Sequence, residues 1–409
     1  MSTGETHDDA GGKGGAFPSP LGVTALAYAR AWAECARGGG EREGLARYAR
    51  VFREGADRPA DVGEVTRVAE SESHEGTVVK FAMRVAGREG GVGAGGAGGA
   101  AGAAGAGGAG GVRGVGGVGE GVGEGGGGTW LETESVLIPM VGRKRERSYT
   151  LCVSSQVGCA MGCAFCQTAQ MGLLRSLSAA EIVAQWWAAR WLVKRPDEAA
   201  EIRNIVFMGM GEPMDNLAEV VRAIEVLTDS RGPAIAMGRV TVSTVGRIDG
   251  IERLAERVRE PGWHRLGLAV SLNAPTDAVR SAIMPVNRAA SMGALRRALL
   301  AWPFYGSAHL CLEYVLIPGV NASAEDAERL ADYVRGEGAW AEGGNGGEGG
   351  WVGGGRPLRG LVNVIPYNPR DGSPWPAPEA EAVEVFMAAL RARGVYVKRR
   401  RTKGRDTMA

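Results

Sequence analysis

The sequence contains no apolar run of the ~18 residues that a membrane-spanning helix needs. Residues 1–15 are polar and rich in glycine, unlike a secretory signal peptide or a membrane anchor. We therefore expect a soluble cytoplasmic protein with no membrane partner. The formal net charge is only +1, which excludes attraction of nucleic acid by the molecule as a whole. Any nucleic-acid binding must then come from local basic patches.

Cysteine and histidine are scarce, with six and four residues in a chain of 409. Cys35 and Cys311 stand alone in helical and strand-like stretches, which predicts two core thiols. The other four cysteines fall between residues 152 and 166. Thiols crowded into one loop cannot staple distant elements, so this usage favours a reducing compartment over a disulfide framework.

Three of the clustered cysteines, Cys159, Cys163 and Cys166, share one loop, CAMGCAFC. A structural zinc site needs four Cys or His ligands, and this loop contains no histidine. Iron–sulfur cubes are also held by thiolates, and three thiolates leave one iron open to a small molecule. We interpret the loop as a [4Fe–4S] site. The alternatives are buried or redox cysteines, or a zinc site completed from elsewhere in the chain.

From residue 149 onward, strand-like and helix-like segments alternate six times. This pattern predicts an α/β fold with a parallel sheet and right-handed crossovers, here a partial (β/α)6 TIM-like barrel. A small helical N-terminal accessory domain precedes it. The predicted strands are 149–155, 204–208, 239–243, 266–272, 310–316 and 360–365, and helices are predicted at 22–37, 43–53, 178–192, 217–227, 250–258, 323–334 and 377–392.

The composition divides the chain into segments. Between residues 87 and 128, 24 of 42 residues are glycine, which predicts a flexible insert because such a segment buries too little apolar surface to fold. Strands at 77–85 and 129–139 flank this insert and are expected to pair. The predicted segments are a disordered tail 1–19, a helical accessory region 20–86, the insert 87–128, a core 129–396 with a second glycine-rich insert at 343–355, and a basic tail 397–409.

Short polar motifs follow five of the six predicted strands. Because a β/α barrel builds its active site at the carboxyl ends of its strands, these motifs are expected on one rim. Each motif taken alone also fits an ordinary turn. The motifs are the cysteine loop, Gly209-Met-Gly-Glu-Pro213, Ser243-Thr244, Ser271-Leu-Asn273 and Pro366-Tyr-Asn368-Pro369.

The cysteine loop resembles the signature of radical S-adenosylmethionine (SAM) enzymes, and further motifs narrow the resemblance. From about Glu132 to Ala409 the chain is similar to the RlmN/Cfr family of RNA adenine methyltransferases. The motifs that carry this likeness are CVSSQVGCAMGCAFCQTAQMG, NIVFMGMGEPMDN, RVTVSTVG, LAVSLNAPTDAVRSAIMPVNR, EYVLIPGVN and NVIPYNP.

The resemblance implies methylation of adenine at C2 or C8, on 23S rRNA and in one branch also on a tRNA anticodon loop. One SAM methylates a carrier cysteine, and a second SAM yields the radical that activates this methyl group. The resemblance assigns Glu134 as the base and Cys152 as the resolving thiol. It assigns the cluster to Cys159, Cys163 and Cys166, and the SAM contacts to Gly211, Glu212, Ser243, Ser271, Leu272, Asn273 and Asn368.

The partners implied are 23S rRNA, tRNA and an electron donor such as flavodoxin or ferredoxin, and we expect a monomer. Basic runs at 143–147 and 398–405 are expected to contact RNA phosphates. The family pattern continues past RTKGRDTMA to Ala-Cys-Gly-Gln-Leu, whose cysteine is the methyl carrier. Since the chain stops at Ala409, we expect a truncated tail. The alternative hypotheses are a radical SAM protein not competent for methyl transfer and a non-catalytic iron–sulfur RNA-binding protein.

Overall fold

The computed structural model describes residues 18–35, 40–87, 130–142, 146–340, 355–370 and 372–400. Most of the predicted tail 1–19, of the inserts 87–128 and 343–355, and all of 401–409 lie outside these ranges. So do the basic residues 143–145. Within the described ranges no helix is both long enough and apolar enough to span a membrane.

The described residues form nine α-helices and twelve strands. The helices are α1 (Ala25–Glu34), α2 (Glu41–Arg53), α3 (Ala179–Trp191), α4 (Leu217–Thr228), α5 (Ile248–Val258), α6 (Asp277–Ile283), α7 (Met292–Ala301), α8 (Ala324–Arg335) and α9 (Ala380–Ala392). The strands are β1 (Val65–Ser73), β2 (Gly76–Ala86), β3 (Trp130–Val141), β4 (Arg147–Cys152), β5 (Gln156–Gly158), β6 (Leu173–Ser176), β7 (Glu201–Phe207), β8 (Val240–Thr244), β9 (Gly267–Ser271), β10 (Leu310–Leu316), β11 (Gly360–Pro366) and β12 (Val397–Arg399).

Ten of these strands form one sheet, in the order β1-β2-β3-β4-β7-β8-β9-β10-β11-β12. The pairs from β1 to β4 are antiparallel, and every pair from β4 to β12 is parallel. The predicted α/β class with six strand–helix repeats is therefore confirmed. The predicted pairing of the two strands that flank the glycine-rich insert is also confirmed, since β2 and β3 are antiparallel partners.

The sheet curls so that residues from its two ends line one interior cavity of about 700 Å³. His74 and Glu75, from the turn between β1 and β2, lie on one side of this cavity. Arg399 and Arg400, from the end of β12, lie on the other. Since β1 and β12 are the terminal strands in the sheet order, the barrel is partial, as predicted.

The structure differs from the predicted segments at both ends of the core. The region predicted as a helical accessory contains two helices and the predicted strand at 77–85, which is β2. Strand β1 was not predicted, and it pairs with β2 to extend the central sheet. The first residues of the predicted basic tail form β12, which pairs with β11. Strand β1 is largely polar and β12 has only three residues, so periodicity did not distinguish these two strands from loops.

The N-terminal helices pack on the core through aromatic side chains. Tyr48 lies 5.8 Å from Tyr28 and 4.8 Å from Phe52, between ring centroids, and Phe52 lies 6.0 Å from Trp186 of α3. The Trp187 indole N–H donates to the Val51 carbonyl over 2.9 Å, so α2 is tied directly to the first core helix. Buried aromatic pairs stabilise the packing beyond the area that they remove from water.

Helix α3 begins at the capping box expected from the sequence. The Ser178 side chain accepts from the Glu181 N–H, and the Glu181 carboxylate accepts from the Ser178 N–H. Eight consecutive residues of this helix, 182–189, are buried because the helix lies between the sheet and the N-terminal helices. The segment after β9 forms two helices, α6 and α7.

Candidate active site

The cysteine loop follows β5 at the carboxyl end of the parallel sheet and is held at three points. The Cys159 N–H donates to the Gly172 carbonyl over 2.8 Å, and the Ala164 N–H donates to the Ile283 carbonyl over 2.9 Å. The Arg370 guanidinium donates to the Ala164 carbonyl from the loop after β11. The three cysteines are therefore positioned by elements from both halves of the barrel.

Gly158 directly precedes the first cysteine, and the structure has no space for a side chain at this position. Its φ is +74°, and a Cβ atom here would lie 1.9 Å from the Gly172 carbonyl oxygen. The close approach lets β5 pair with β6 directly beside Cys159. The hairpin therefore sets the direction in which the cysteine loop leaves the sheet.

All three thiols of the loop line one cavity of about 180 Å³. Side chains and backbone from the carboxyl ends of β7, β8 and β9 complete its wall. Of the residues assigned to SAM by resemblance, Gly211, Glu212, Ser243 and Ser271 line this cavity together with Cys159, Cys163 and Cys166.

Glu212 is the buried acid of this cavity, with 2% of its surface exposed. Its carboxylate accepts from the Met214 N–H over 3.0 Å and from the Val245 N–H over 2.9 Å. Burial raises the pKa of Glu212 to about 7, and these two N–H donors act in the opposite direction. A carboxylate has about four lone-pair positions, so capacity is left for an ammonium group.

Three other predicted SAM contacts lie outside the lining of this cavity. Leu272 is fully buried in the core. Asn273 has a φ of +55°, and its side-chain oxygen accepts from the Val315 N–H over 2.9 Å, which fastens β9 to β10. Asn368 is exposed just after β11. Contact of these three residues with SAM stays a prediction.

The two predicted catalytic residues lie on the neighbouring strands β3 and β4. Cys152 lines the larger interior cavity, which borders the thiol-lined one, since Met208, Glu313 and Arg400 line both. Glu134 is attached to the rim through its backbone, because the Ser154 hydroxyl donates to the Glu134 carbonyl over 2.6 Å. The same hydroxyl oxygen accepts from the Met210 N–H.

Sequence reasoning missed two buried polar residues that organise this rim. Gln185 of α3 accepts from the Ser135 hydroxyl and the Ser154 N–H, and donates to the Ser154 carbonyl. Arg280 of α6 donates to carbonyls at the ends of β8 and β9. The signal for Gln185 was a lone amide in an apolar helical run. Nothing in the sequence around Arg280 separates it from a surface arginine.

The two isolated cysteines differ from each other. Cys35 was predicted as a core thiol, but the structure exposes it at the end of α1, so that prediction is wrong. Cys311 is half-buried and lines the interior cavity together with Cys152. All six cysteines lie in the described ranges, and each is free.

Known proteins of similar sequence are RNA methyltransferases. A family model of the Radical SAM superfamily matches residues 153–334. The probable dual-specificity RNA methyltransferase RlmN 1 of Protochlamydia amoebophila is 39% identical over 279 residues, which are 68% of each chain. The dual-specificity RNA methyltransferase RlmN of Campylobacter fetus is 38% identical over 68% of this chain and 72% of its own. The chain belongs to the RlmN family of radical SAM RNA methyltransferases.

A solved structure agrees with this RlmN-family assignment. The radical SAM methyltransferase from Sphaerobacter thermophilus superposes with a TM-score of 0.68 at 30% identity, covering 95% of this chain and 96% of that one. Radical SAM membership implies SAM and an iron–sulfur cluster as cofactors. The resemblance drawn from the motifs is thereby confirmed at the level of the family.

The three thiols fit the cluster that membership in the RlmN family implies. Burial, and then the neighbouring Cys166 and Cys159, raise the pKa of Cys163 to about 12, so the thiols are close enough to repel one another as thiolates. Within the described ranges no three Cys, His, Asp or Glu side chains are arranged around a single metal ion. A [4Fe–4S] cluster does not need three ligands around a single ion, because each thiolate binds a different iron.

Gly211 offers a test of the SAM pocket of this RlmN-family chain. Its φ is +98°, and a Cβ atom would lie 2.5 Å from Gln156 Cβ and 2.9 Å from Gln156 N. Gly211→Ala must therefore displace the segment that carries Glu212. We expect SAM to bind about tenfold more weakly or worse, which is ~1.4 kcal/mol. Equilibrium dialysis of cluster-loaded protein would measure this.

Gly262→Ala is the matched control for this substitution. Gly262 also has a left-handed φ, +90°, but no atom lies within 4 Å of the position that a Cβ would take. Gly262→Ala should keep the wild-type cluster absorbance and SAM affinity. Wild-type SAM affinity in Gly211→Ala would contradict a role of this close contact in the pocket.

Proposed function

We propose that this chain methylates C2 of adenine in 23S rRNA, and in the anticodon loop of tRNA, with a [4Fe–4S] cluster and two SAM molecules per product. The observation that carries the proposal is the single cavity that unites three thiols with Gly211, Glu212 and two serines. That cavity borders the one that Cys152 lines. We choose C2 because the matching relatives carry the name RlmN, the branch of the resembling family that methylates C2. The two RNA classes agree with the dual specificity in the relatives' names.

Cys159, Cys163 and Cys166 would hold the cluster, and three thiolates would leave one iron without a protein ligand. Glu212 would accept hydrogen bonds from the SAM ammonium group, as a buried carboxylate is suited to do. Ser243 and Ser271 stand at the ends of β8 and β9 on the same wall. Leu272, Asn273 and Asn368 complete the assignment proposed for SAM.

When bound, SAM and the cluster supply a methyl group and a carbon radical, which an aromatic ring carbon needs because it is a poor nucleophile. Glu134 takes the ring proton, and the electron pair of that C–H bond remains in the ring. Forming the new carbon–carbon bond removes one proton and one electron from the ring, and this electron would balance the one that the cofactors supply for the radical.

Cys152 then releases the product. Its sulfur attacks the carrier sulfur, a disulfide forms, and the carbon–sulfur bond breaks with its electron pair on the carbon. The proton that the thiol loses balances the one that the new methyl group gains. Two electrons from cellular thiols must later reduce the disulfide. The carrier is assigned to none of the six cysteines, since Cys35 and Cys311 do not match the carrier motif.

The target base must leave its stack to reach this rim, as for other enzymes that modify nucleobases. Lys398 and Arg399 are exposed on the last strand, near the interior cavity, and would contact RNA phosphates. We further propose a cytoplasmic monomer that takes its electron from a flavodoxin or a ferredoxin. Free cysteines throughout support a reducing compartment.

Glu134→Gln tests the assignment of the base, with Glu132→Gln as its matched control. Both carboxylates lie on β3 and face the same side, and both are ion-paired, Glu132 with Arg67 and Glu134 with Lys80. In a strain lacking the native gene, complementation with Glu134→Gln should lower 2-methyladenosine in rRNA and tRNA by about 100-fold or more. Mass spectrometry of digested RNA measures this.

The control variant should restore wild-type methylation. Equal methylation by Glu134→Gln and the wild type would remove Glu134 as the base. If the deletion strain itself keeps its normal 2-methyladenosine, the whole proposed function is refuted.

A further inference from the structure

Lys80 is a largely sheltered cation that contacts Glu134 and shares one row of strand partners with Cys152. In the sheet, Val136 of β3 is the direct partner of Lys80 on β2 and of Cys152 on β4. Residues that are direct partners across strands point to the same face. Val136 and Cys152 both line the interior cavity, so Lys80 lies on its side of the sheet. Lys80, Val136 and Cys152 thus form one row across three strands.

Glu134 lies two residues before Val136, so it projects from the same face as this row. The Lys80 ammonium lies 2.9 Å from a Glu134 carboxylate oxygen. Only 12% of the Lys80 side chain and 25% of the Glu134 side chain are exposed. By contrast, Arg84 of the same strand β2 forms an ion pair with Glu64 in which the exposures are 47% and 64%. Lys80 and Glu134 are therefore the sheltered pair.

Cys152 is affected by the same cation. Burial raises the pKa of Cys152 to about 11, while Arg400 and Lys80 act to lower it and Glu313 acts to raise it. Two interstrand spacings separate the Lys80 and Cys152 backbones, about 10 Å. The Lys80 ammonium thus contacts the Glu134 carboxylate and favours the charged form of the Cys152 thiol on the same row.

We propose that Lys80 is a positioning residue that couples the proton transfer at Glu134 to the release step at Cys152. The inference rests on the proposed function. Before transfer, the ion pair holds the Glu134 carboxylate in one orientation at the rim. When the ring proton moves to Glu134, the carboxylate becomes neutral and the ion pair loses its attraction.

The Lys80 ammonium is then no longer neutralised by Glu134, and it favours more strongly the thiolate that forms at Cys152. The release step therefore becomes easier only after the ring has lost its proton. This order matters chemically, because attack by Cys152 before proton loss would break the carbon–sulfur bond while the ring carbon still carries its hydrogen. Lys80 takes up and gives away no proton in either step, so the atom and electron balance of the reaction is unchanged.

Lys80→Met tests the proposal, with Lys80→Arg as the charge-conserving variant and Arg84→Met as the control. Arg84→Met removes the exposed ion pair of the same strand. The complete gene product, loaded with cluster, is given SAM, reductant and target RNA. Three quantities are measured: 5′-deoxyadenosine, 2-methyladenosine, and the covalent protein–RNA adduct on denaturing gels.

For Lys80→Met we expect 5′-deoxyadenosine within about twofold of wild type, 2-methyladenosine reduced by about 100-fold, and accumulated adduct. Lys80→Arg should recover most of the product, which loss of a merely structural contact would not explain, and Arg84→Met should match the wild type. Wild-type product without adduct in Lys80→Met overturns the inference and leaves the proposed function intact. If Lys80→Met does not fold, Lys80→Arg is compared with Lys80→Gln. Equal yields of 2-methyladenosine from these two variants overturn the inference.

If the wild type forms 5′-deoxyadenosine but no 2-methyladenosine, the proposed function fails, and the role of Lys80 fails with it. The two failures are therefore distinguished by the wild-type reaction alone.

Discussion

Cys163→Ala is expected to abolish cluster binding and SAM cleavage. Cys163 is buried, and it lies between Cys159 and Cys166 in the loop that lines the thiol cavity. Two thiolates cannot hold a cube that already leaves one iron without a protein ligand. Iron content should fall from about four atoms per chain to below one, measured after anaerobic reconstitution. The yield of 5′-deoxyadenosine should fall to background.

Cys35→Ala is the control for this loss. Its thiol is exposed at the end of α1, far along the sequence from the loop. It should keep wild-type iron and activity. Full iron content in Cys163→Ala would refute the ligand assignment, whereas loss of iron in Cys35→Ala would show that the assay reports general damage.

Arg280→Met is expected to have the largest effect on stability. The guanidinium is 1% exposed and donates to the carbonyls of Leu272 and Ser271 over 3.0 Å each, to the Val245 carbonyl, and to the Asn287 side chain over 3.0 Å. Removing it leaves several buried carbonyls without a donor, which costs roughly 2–5 kcal/mol. The urea midpoint of unfolding should fall accordingly.

Arg280→Lys should not restore stability, because an ammonium cannot reproduce the planar set of guanidinium donors. Since Val245 and Ser271, two of the residues whose carbonyls are freed, line the thiol-lined cavity, SAM binding should weaken in both variants. Arg288→Met, an exposed arginine of the same segment, is the control and should unfold at the wild-type midpoint. A wild-type midpoint in Arg280→Met would show that water replaces its hydrogen bonds.

The order of elements in the core was predictable because the physical signals were local. Strands such as β9 and β10 are mostly apolar runs, and α3 begins with a capping box that is legible in four residues. The parallel arrangement then followed from alternation, since parallel strands need a helical crossover. The rim position of the cysteine loop and of Glu212 followed from the same rule.

The strands at the edges of the sheet were not predictable in the same way. β1 has charged or polar residues at most positions, and β12 has three residues, so neither carries a clear alternation. Each becomes a strand because a neighbouring strand offers its unpaired backbone groups. Arg280 shows the same limit, since its partners are carbonyls brought together by β8, β9 and α6.

The sequence by itself indicated the chemistry of this protein. The type and spacing of the ligands in the cysteine loop, and the order of the motifs after it, are carried by residues that lie close together in the chain. The tertiary structure decided which groups face one another. It placed Glu134 against Lys80, aligned Lys80 with Cys152 across three strands, and turned Asn273 toward β10. These groups lie far apart in the chain, and strand register, not local propensity, brings them together.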